Sequence, residues 1–331
     1  MKFDYIIIGA GSAGCVLSNR LSENQNNKVA VFEAGGSSDI WKVKMPLALL
    51  YTMHDPKYNW KYYSEPEPHL NNRRLFCPRG KMIGGCSAHN GMVFVRGNRN
   101  DYERWENFGL KSWSYEKVLP YFKKIETWSG GENQYRGSLG PLPVNQSKND
   151  NPLFKAFINS ASEAGHTVNP DMNGEEQEGF GMFDTTIHEG QRASATKYYL
   201  NPAKKRKNLN IFSNSFVEKI IFEGKKAIGI EVKIKNKVEK VYAEKEVILS
   251  GGSINSPQLL MLSGVGNSDH LREKGIDVVS DIKGVGKNLQ DHLETYIMQE
   301  CKTPDTLYTY TKLIPKVLAG IQWFLSKSGP C

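Results

Sequence analysis

Residues 4–33 read DYIIIGAGSAGCVLSNRLSENQNNKVAVFE. Tyr5 to Ile8 is an apolar run with β-branched character, long enough for a buried strand. Gly9, Gly11 and Gly14 follow at the spacing G-x-G-x-x-G. Ala13, Val16, Leu17 and Leu21 then recur at helical spacing, and Lys28 to Phe32 forms a second strand that ends at Glu33. Strand, glycine turn, helix, strand and acid make one dinucleotide-binding unit. Gly9 permits the turn out of the strand, Gly11 lets the backbone approach a pyrophosphate, and Gly14 lets the helix pack close to the strand. The N–H groups and dipole of the helix start favour the phosphate charge. Glu33 lies 19 residues after Gly14, close to the roughly 20 expected for an acid on a ribose hydroxyl. This pattern does not separate FAD from NAD, but an acid disfavours the extra phosphate of NADP.

A chain of 331 residues can form about two domains and bury a sizeable core. It is 39% hydrophobic and 24% charged, which argues against disorder. Net charge is +8, but the dense basic run is confined to Lys204–Lys207. That reads as a solvated loop, since nucleic-acid binding calls for a basic face with interleaved aromatics. Cys15, Cys77, Cys86, Cys301 and Cys331 are odd in number and include no C-x-x-C pair. They read as free thiols in a reducing compartment, with no zinc spacing and no metal site expected. The apolar start is too short for a signal peptide, and no window approaches the roughly 18 apolar residues of a membrane span. A cytoplasmic location is the default, with no membrane partner.

Downstream, residues 34–75 are aromatic-rich and broken by prolines, which reads as a packed excursion with short helices. Amphipathic helices are expected within 101–128, over 151–165 and over 313–325, the last facing the core. Residues 210–213, 216–222, 227–235 and 237–243 read as strands in a meander, and 246–249 as a further strand. That strand runs into Gly251 and a helix over 256–262, a second strand–glycine–helix junction.

Several stretches together make the chain similar to the glucose–methanol–choline (GMC) family of FAD-dependent oxidoreductases. They are the N-terminal fingerprint leading to FEAGG at 32–36, RGKMIGGCSAHNGMVFVRG at 79–97, GSINSPQLLMLSGVG at 252–266 and GVGKNLQDH at 284–292. RASATKYYLNP at 192–202 also fits. The resemblance runs in order along the whole chain. It implies an α/β fold: a Rossmann-like FAD-binding domain with an incomplete substrate domain. The FAD domain would take 1–40, 76–100 and 190–292; the lid and partial substrate domain would take 41–75, 101–189 and 293–331. By position, Gly9, Gly11, Ser12, Ala13 and Gly14 would hold the pyrophosphate, and Glu33 the adenosine ribose. Gly84, Gly85, Asn90, Gly91 and Val93 would run along the flavin. The Val217 backbone would meet adenine, with Gly251 near the same end. Some oxidase-type relatives carry a histidine at the position of His89 that bonds covalently to the flavin. His89 therefore reads either as an attachment point or as a side chain packed beside FAD.

The resemblance also shows what is not matched. In the family a long further segment supplies the rest of the substrate sheet and the catalytic histidine with its partner. No residue here matches that base, and His292, in the QDH segment, is not its equivalent. The implied parent chemistry is oxidation of alcohols (CH–OH donors) by hydride transfer to FAD. The expectation for this chain is a truncated, inactive homologue with weak or absent FAD binding unless another polypeptide completes it. Two alternatives stand beside it: half of a split enzyme completed by a second chain, and a non-catalytic FAD-binding or structural protein.

Overall fold

The computed structural model describes residues 1–147, 151–292, 294–303 and 305–330. The thiol reading of Cys331 lies outside them. The chain divides into two units: the first takes residues 1–43, 49–89 and 194–296, the second 44–48, 90–193 and 297 onward. Residues 49–75, assigned from sequence to the lid and substrate domain, fall in the first unit. Residues 90–100 and 190–193, assigned to the FAD domain, fall in the second.

The first unit is built on a six-stranded sheet. Its strands are β1 (Lys2–Ile8), β2 (Val29–Phe32), β3 (Leu209–Phe212), β4 (Ser215–Glu223), β5 (Lys226–Ile234) and β6 (Lys237–Leu249), in the order β3-β2-β1-β6-β5-β4. The four strands β3, β2, β1 and β6 are parallel, and β6, β5 and β4 form an antiparallel set. Ile6, Ile7, Val29, Ala30 and Val31 are wholly buried, as the unbroken apolar runs of central parallel strands require. Helix α1 (Ser12–Leu21) follows β1, and helix α2 (Gly252–Leu262) follows β6.

Two strand expectations are corrected. The segment near 210–213 is not part of the meander: it is β3, parallel to β2, with Phe212 stacked on Phe32 at 4.7 Å. An apolar face for the far side of the parallel sheet outweighs the short connection to β4. The segments 237–243 and 246–249 are one strand, β6. Residues 237–242 pair with β5 and residues 242–249 with β1. Lys240, Glu244 and Lys245 are exposed while Val241 is buried, the alternation of a half-solvated strand.

The second unit has four short strands, in the order Val93–Phe94, Asp184–Thr185, Leu142–Gln146, Glu126–Trp128. The helices Arg99–Asn107, Tyr115–Ile125, Pro152–Glu163 and Leu313–Ser326 stand at the expected amphipathic segments. Its interior holds charge. The Arg136 guanidinium, with no exposed surface, pairs with Glu126 at 2.9 Å and Asp184 at 2.7 Å, and also with Asp171. It lies 4.2 Å from the Trp128 ring centroid. Arg96 reaches the same Glu126 at 2.8 Å.

The helix over 313–326 only partly faces a core. Ala319 and Trp323 are buried, and Trp323 packs with Met45 and Ala48 and donates to the Gly190 carbonyl at 2.7 Å. Leu313 is 77% and Leu325 83% exposed. A single stripe is buried, which corrects the core-facing expectation. Among the described residues no helix is long and apolar enough to cross a membrane.

Candidate functional site

The parallel half of the first unit's sheet brings two strand–glycine–helix junctions side by side. Ile8 pairs with Leu249, and the Ser250 N–H donates to the Ile8 carbonyl. The backbones are so close that a Cβ on Gly9, whose φ is +94°, would lie 2.7 Å from the Ser250 carbonyl oxygen. A Cβ on Gly14 would lie 1.9 Å from the Gly9 carbonyl oxygen. Both glycines are therefore demanded by packing inside this unit.

The second glycine-rich stretch closes on the first. The Gly84 N–H donates to the Ala10 carbonyl, and a Cβ on Gly85 would lie 2.8 Å from Gly11 Cα. Between these elements lies a cavity of about 520 Å3, within the usual range for small-molecule sites. Ile8, Phe32 and Leu249 line it, which places it at the carboxyl ends of β1, β2 and β6, where open α/β sheets bind ligands.

The cavity residues fit a dinucleotide. Neither α1 nor α2 has a side-chain cap at its start, where Gly11 and Gly251 stand. Both starts line the cavity and offer N–H groups to an anion. A Cβ on Gly11 would meet nothing closer than 3.9 Å, so the space beside Gly11 is left for a ligand. Ser250 also lines the cavity, and its buried hydroxyl has no hydrogen-bond partner among the described residues.

Glu33 is 6% exposed. One carboxylate oxygen accepts the Ala10 N–H and the other the Gly35 N–H, each at 2.9 Å. Burial pushes its pKa up, and the two N–H groups oppose the rise. A carboxylate has about four acceptor sites, so two remain for hydroxyl groups. Beneath the glycine turn, burial pushes the Cys15 thiol up to about 12. It donates to the Ala10 carbonyl at 3.3 Å and is a packing group, not a nucleophile.

Of the expected cofactor residues, Gly9, Gly11, Ser12, Ala13, Glu33, Gly85, Val217 and Gly251 line this cavity. Gly14 and Gly84 support its walls through the backbone approaches just described; a Cβ on Gly84 would come within 2.3 Å of the Thr196 hydroxyl oxygen. His89 is buried at the end of the Gly85–Ala88 turn and does not line the cavity. Asn90, Gly91 and Val93 belong to the second unit. There the Arg192 guanidinium donates to the Asn90 carbonyl and side-chain oxygens, each at 2.8 Å.

The sequence reading missed Trp60, Tyr62, Arg79, Phe216, Ser250 and Asn255, which also line the cavity. Signals existed for some of them. Trp60 and Tyr62 belong to the aromatic excursion, Arg79 opens the 79–97 signature, and Phe216 and Ser250 each precede a residue already chosen.

The comparisons agree with this geometry. The GMC oxidoreductase family model matches residues 3–294. An oxygen-dependent choline dehydrogenase of Brucella suis is 49% identical over 329 residues, covering 99% of this chain and 60% of that protein. The mitochondrial choline dehydrogenase of Mus musculus is 47% identical over 335 residues, covering 99% and 56%. Among solved structures, pyridoxine 4-oxidase from Mesorbium loti superposes with a TM-score of 0.84 at 32% identity, over 88% of this chain and 57% of that one. A formate oxidase of Aspergillus oryzae, described for its FAD modification, superposes with a TM-score of 0.88 at 26% identity, over 99% and 59%. The chain thus spans about 60% of the length of the curated relatives it matches. It belongs to the GMC oxidoreductase family.

Proposed function

We propose that this chain holds FAD by its adenosine diphosphate half in the first unit's cavity, and that it does not oxidise alcohols by itself. One observation carries the reading: two uncapped helix starts, Gly11 and the Glu33 carboxylate border one cavity. Gly11, Ser12 and Ala13 would bind the pyrophosphate, Glu33 the ribose and the Val217 backbone the base. Gly85 and Gly251 would border the same cofactor, with Gly84 and Gly14 behind them. Asn90, Gly91 and Val93 stay as candidates for the flavin.

The parent chemistry proposed for the family resemblance is oxidation of CH–OH donors, in which FAD accepts the hydride. Such a reaction needs a base for the hydroxyl proton, worth about 100- to 10,000-fold. Among the described residues lining the cavity, the titratable ones are Glu33, Tyr62, Arg79 and Cys86. Glu33 is held by two backbone N–H groups, and no histidine is among them. These residues support holding the adenosine diphosphate half of the cofactor.

His89, buried next to Asn90, is read as packing or hydrogen-bonding beside the cofactor, with covalent attachment as the alternative. Purification of the full chain with added FAD, followed by a visible spectrum and acid precipitation, tests these points. The expected result is a yellow protein that releases its flavin to the supernatant and is not bleached by choline or primary alcohols. A colourless protein at saturating FAD, or bleaching by an alcohol, overturns the proposal. Flavin in the pellet restores the covalent role of His89.

A second reading, completion by another polypeptide, is favoured by the apolar face of the 313–326 helix, where Ile314 is 72% and Leu318 60% exposed. Co-expression with a polypeptide matching the remaining part of a choline dehydrogenase relative tests it. Alcohol-dependent flavin reduction supports this reading, and its absence in a co-purifying pair rejects it.

A further inference from the structure

We propose that Asn90 and Gly91 form a self-modifying pair in the second unit, at which the Arg192 guanidinium promotes closure of a succinimide and conversion of Asn90 to aspartate and isoaspartate. The reaction needs no cofactor, so it stands apart from the reading of the cavity. The sequence contains two Asn-Gly pairs, Asn90-Gly91 and Asn173-Gly174. Glycine after asparagine leaves the next backbone nitrogen sterically open to the side-chain amide carbon, so both pairs are chemically competent. The fold treats them differently.

At the first pair the geometry assists the reaction. Asn90 and Gly91 are exposed, and a Cβ on Gly91 would meet nothing within 4 Å. The Gly91 N–H has no hydrogen-bond partner among the described residues. The Asn90 Oδ1 accepts the Met92 N–H at 3.2 Å, an Asx turn that folds the side chain back along the intervening Gly91. Met92 is anchored in its turn: its carbonyl accepts the Thr186 N–H at 2.8 Å and the Thr186 hydroxyl at 3.2 Å.

Arg192 supplies the charge. It is 2% exposed, and its Nη1 donates to the backbone and side-chain oxygens of Asn90. These are the two oxygens that become the carbonyls of the imide. Burial pushes the Arg192 pKa down to about 10, still above neutrality, so the cation persists. On the side-chain oxygen it draws charge from Cγ and stabilises the oxyanion formed on attack. On the backbone oxygen it acidifies the Gly91 N–H, which is conjugated with that carbonyl.

The second pair is restrained. Asn173 is 4% exposed. Its Oδ1 accepts the Arg96 N–H, its Nδ2 donates to the Phe94 carbonyl, and the Gly174 N–H donates to the Asp171 carbonyl at 3.0 Å. The amide is locked and the attacking nitrogen is occupied.

The step involves no oxidation or reduction. Hydroxide takes the Gly91 N–H proton, the Gly91 nitrogen bonds Asn90 Cγ, and the Cγ–Nδ2 bond breaks. The nitrogen leaves as ammonia with a proton from water, which restores the hydroxide. Water then opens the ring at either carbonyl, giving aspartate or isoaspartate. Either product sets a carboxylate against the Arg192 cation, and isoaspartate adds a methylene to the main chain.

The test incubates the full chain in mildly alkaline buffer, native and in guanidinium chloride, and follows both pairs by peptide-mapping mass spectrometry with isoaspartate-specific methylation. In denaturant the two pairs should react at similar rates. In the native chain Asn90 should react about tenfold faster than in denaturant, and Asn173 about tenfold slower or less. Arg192→Gln should lower the native rate at Asn90 about tenfold and leave the denatured rate unchanged. A native rate at Asn90 at or below its denatured rate, equal native rates at the two pairs, or a rate unchanged in folded Arg192→Gln overturns the proposal. If Arg192→Gln does not fold, the wild-type comparison alone decides: a faster native reaction at Asn90 supports the proposal, and a slower one overturns it.

Discussion

At Glu33 the sequence and the structure assign different partners to the same carboxylate. The spacing after Gly14 points to a ribose hydroxyl, whereas the fold also uses both oxygens to accept the Ala10 and Gly35 N–H groups. The two uses are compatible, and they have a pH signature. Burial raises the folded pKa above the unfolded value of about 4.3, so the native state binds the proton more tightly. The stability contributed by Glu33 is then lowest above its raised pKa. It increases as pH falls through that value and levels off below about 4.3. Glu33→Gln lacks this component and leaves one N–H without its acceptor, at a cost of about 1–3 kcal/mol. Urea midpoints of wild type and variant measured from pH 7 to pH 4 should therefore move in favour of wild type on acidification; a constant difference would refute the raised pKa.

At the scale of elements, the β1–α1 turn and the charged interior of the second unit fail in different ways. The Gly14 Cα lies where a methyl group would sit 1.9 Å from a backbone carbonyl, and the backbone cannot move without separating α1 from β1. Gly14→Ala should cost about 2–4 kcal/mol, read as a lower denaturant midpoint at unchanged slope. In the second unit, Glu126 is wholly buried between Arg96 and Arg136 and also accepts the Gly137 N–H at 2.9 Å. Neutralising it leaves two buried cations undercompensated, so Glu126→Gln should cost about 3–5 kcal/mol by the same measurement. A loss under 1 kcal/mol would show that Asp171 and Asp184 suffice. The glycine was readable because it belongs to a local motif. The Arg136 network was not: Arg136 and Asp171 are 35 residues apart, with no local pattern linking them.

At the scale of the molecule, the helix at 313–326 departs from ordinary burial. Leu313, Ile314, Leu318 and Leu325 are each at least 60% exposed, along one face of an element whose buried stripe is only Ala319 and Trp323. Contiguous exposed apolar surface of this kind drives association. Light scattering should show concentration-dependent self-association of the purified chain, and Leu318→Lys with Leu325→Lys should reduce it. Exposed positions of this type change stability by only about 0.5 kcal/mol. Association unchanged in the double variant would place the sticky surface elsewhere. The sequence identified this helix, because its apolar spacing is local. It did not show how much of the apolar face finds a partner, because that depends on what packs against it.

What the sequence determined by itself is whatever lies within one chain segment: the G-x-G-x-x-G turn, the acid after β2, the second glycine stretch and the signatures of the GMC oxidoreductase family. These are short-range requirements of backbone conformation and close approach, so residue type and spacing carry them. The tertiary structure decided which strands pair, that 237–249 is one strand shared between a parallel and an antiparallel partner, and that Trp60 and Tyr62, distant in sequence from the glycine turns, line the cavity. Tyr62 and Asn255 are 193 residues apart, and no periodicity links them. Their meeting follows from chain topology and the burial of the sheet between them, which only the folded chain specifies.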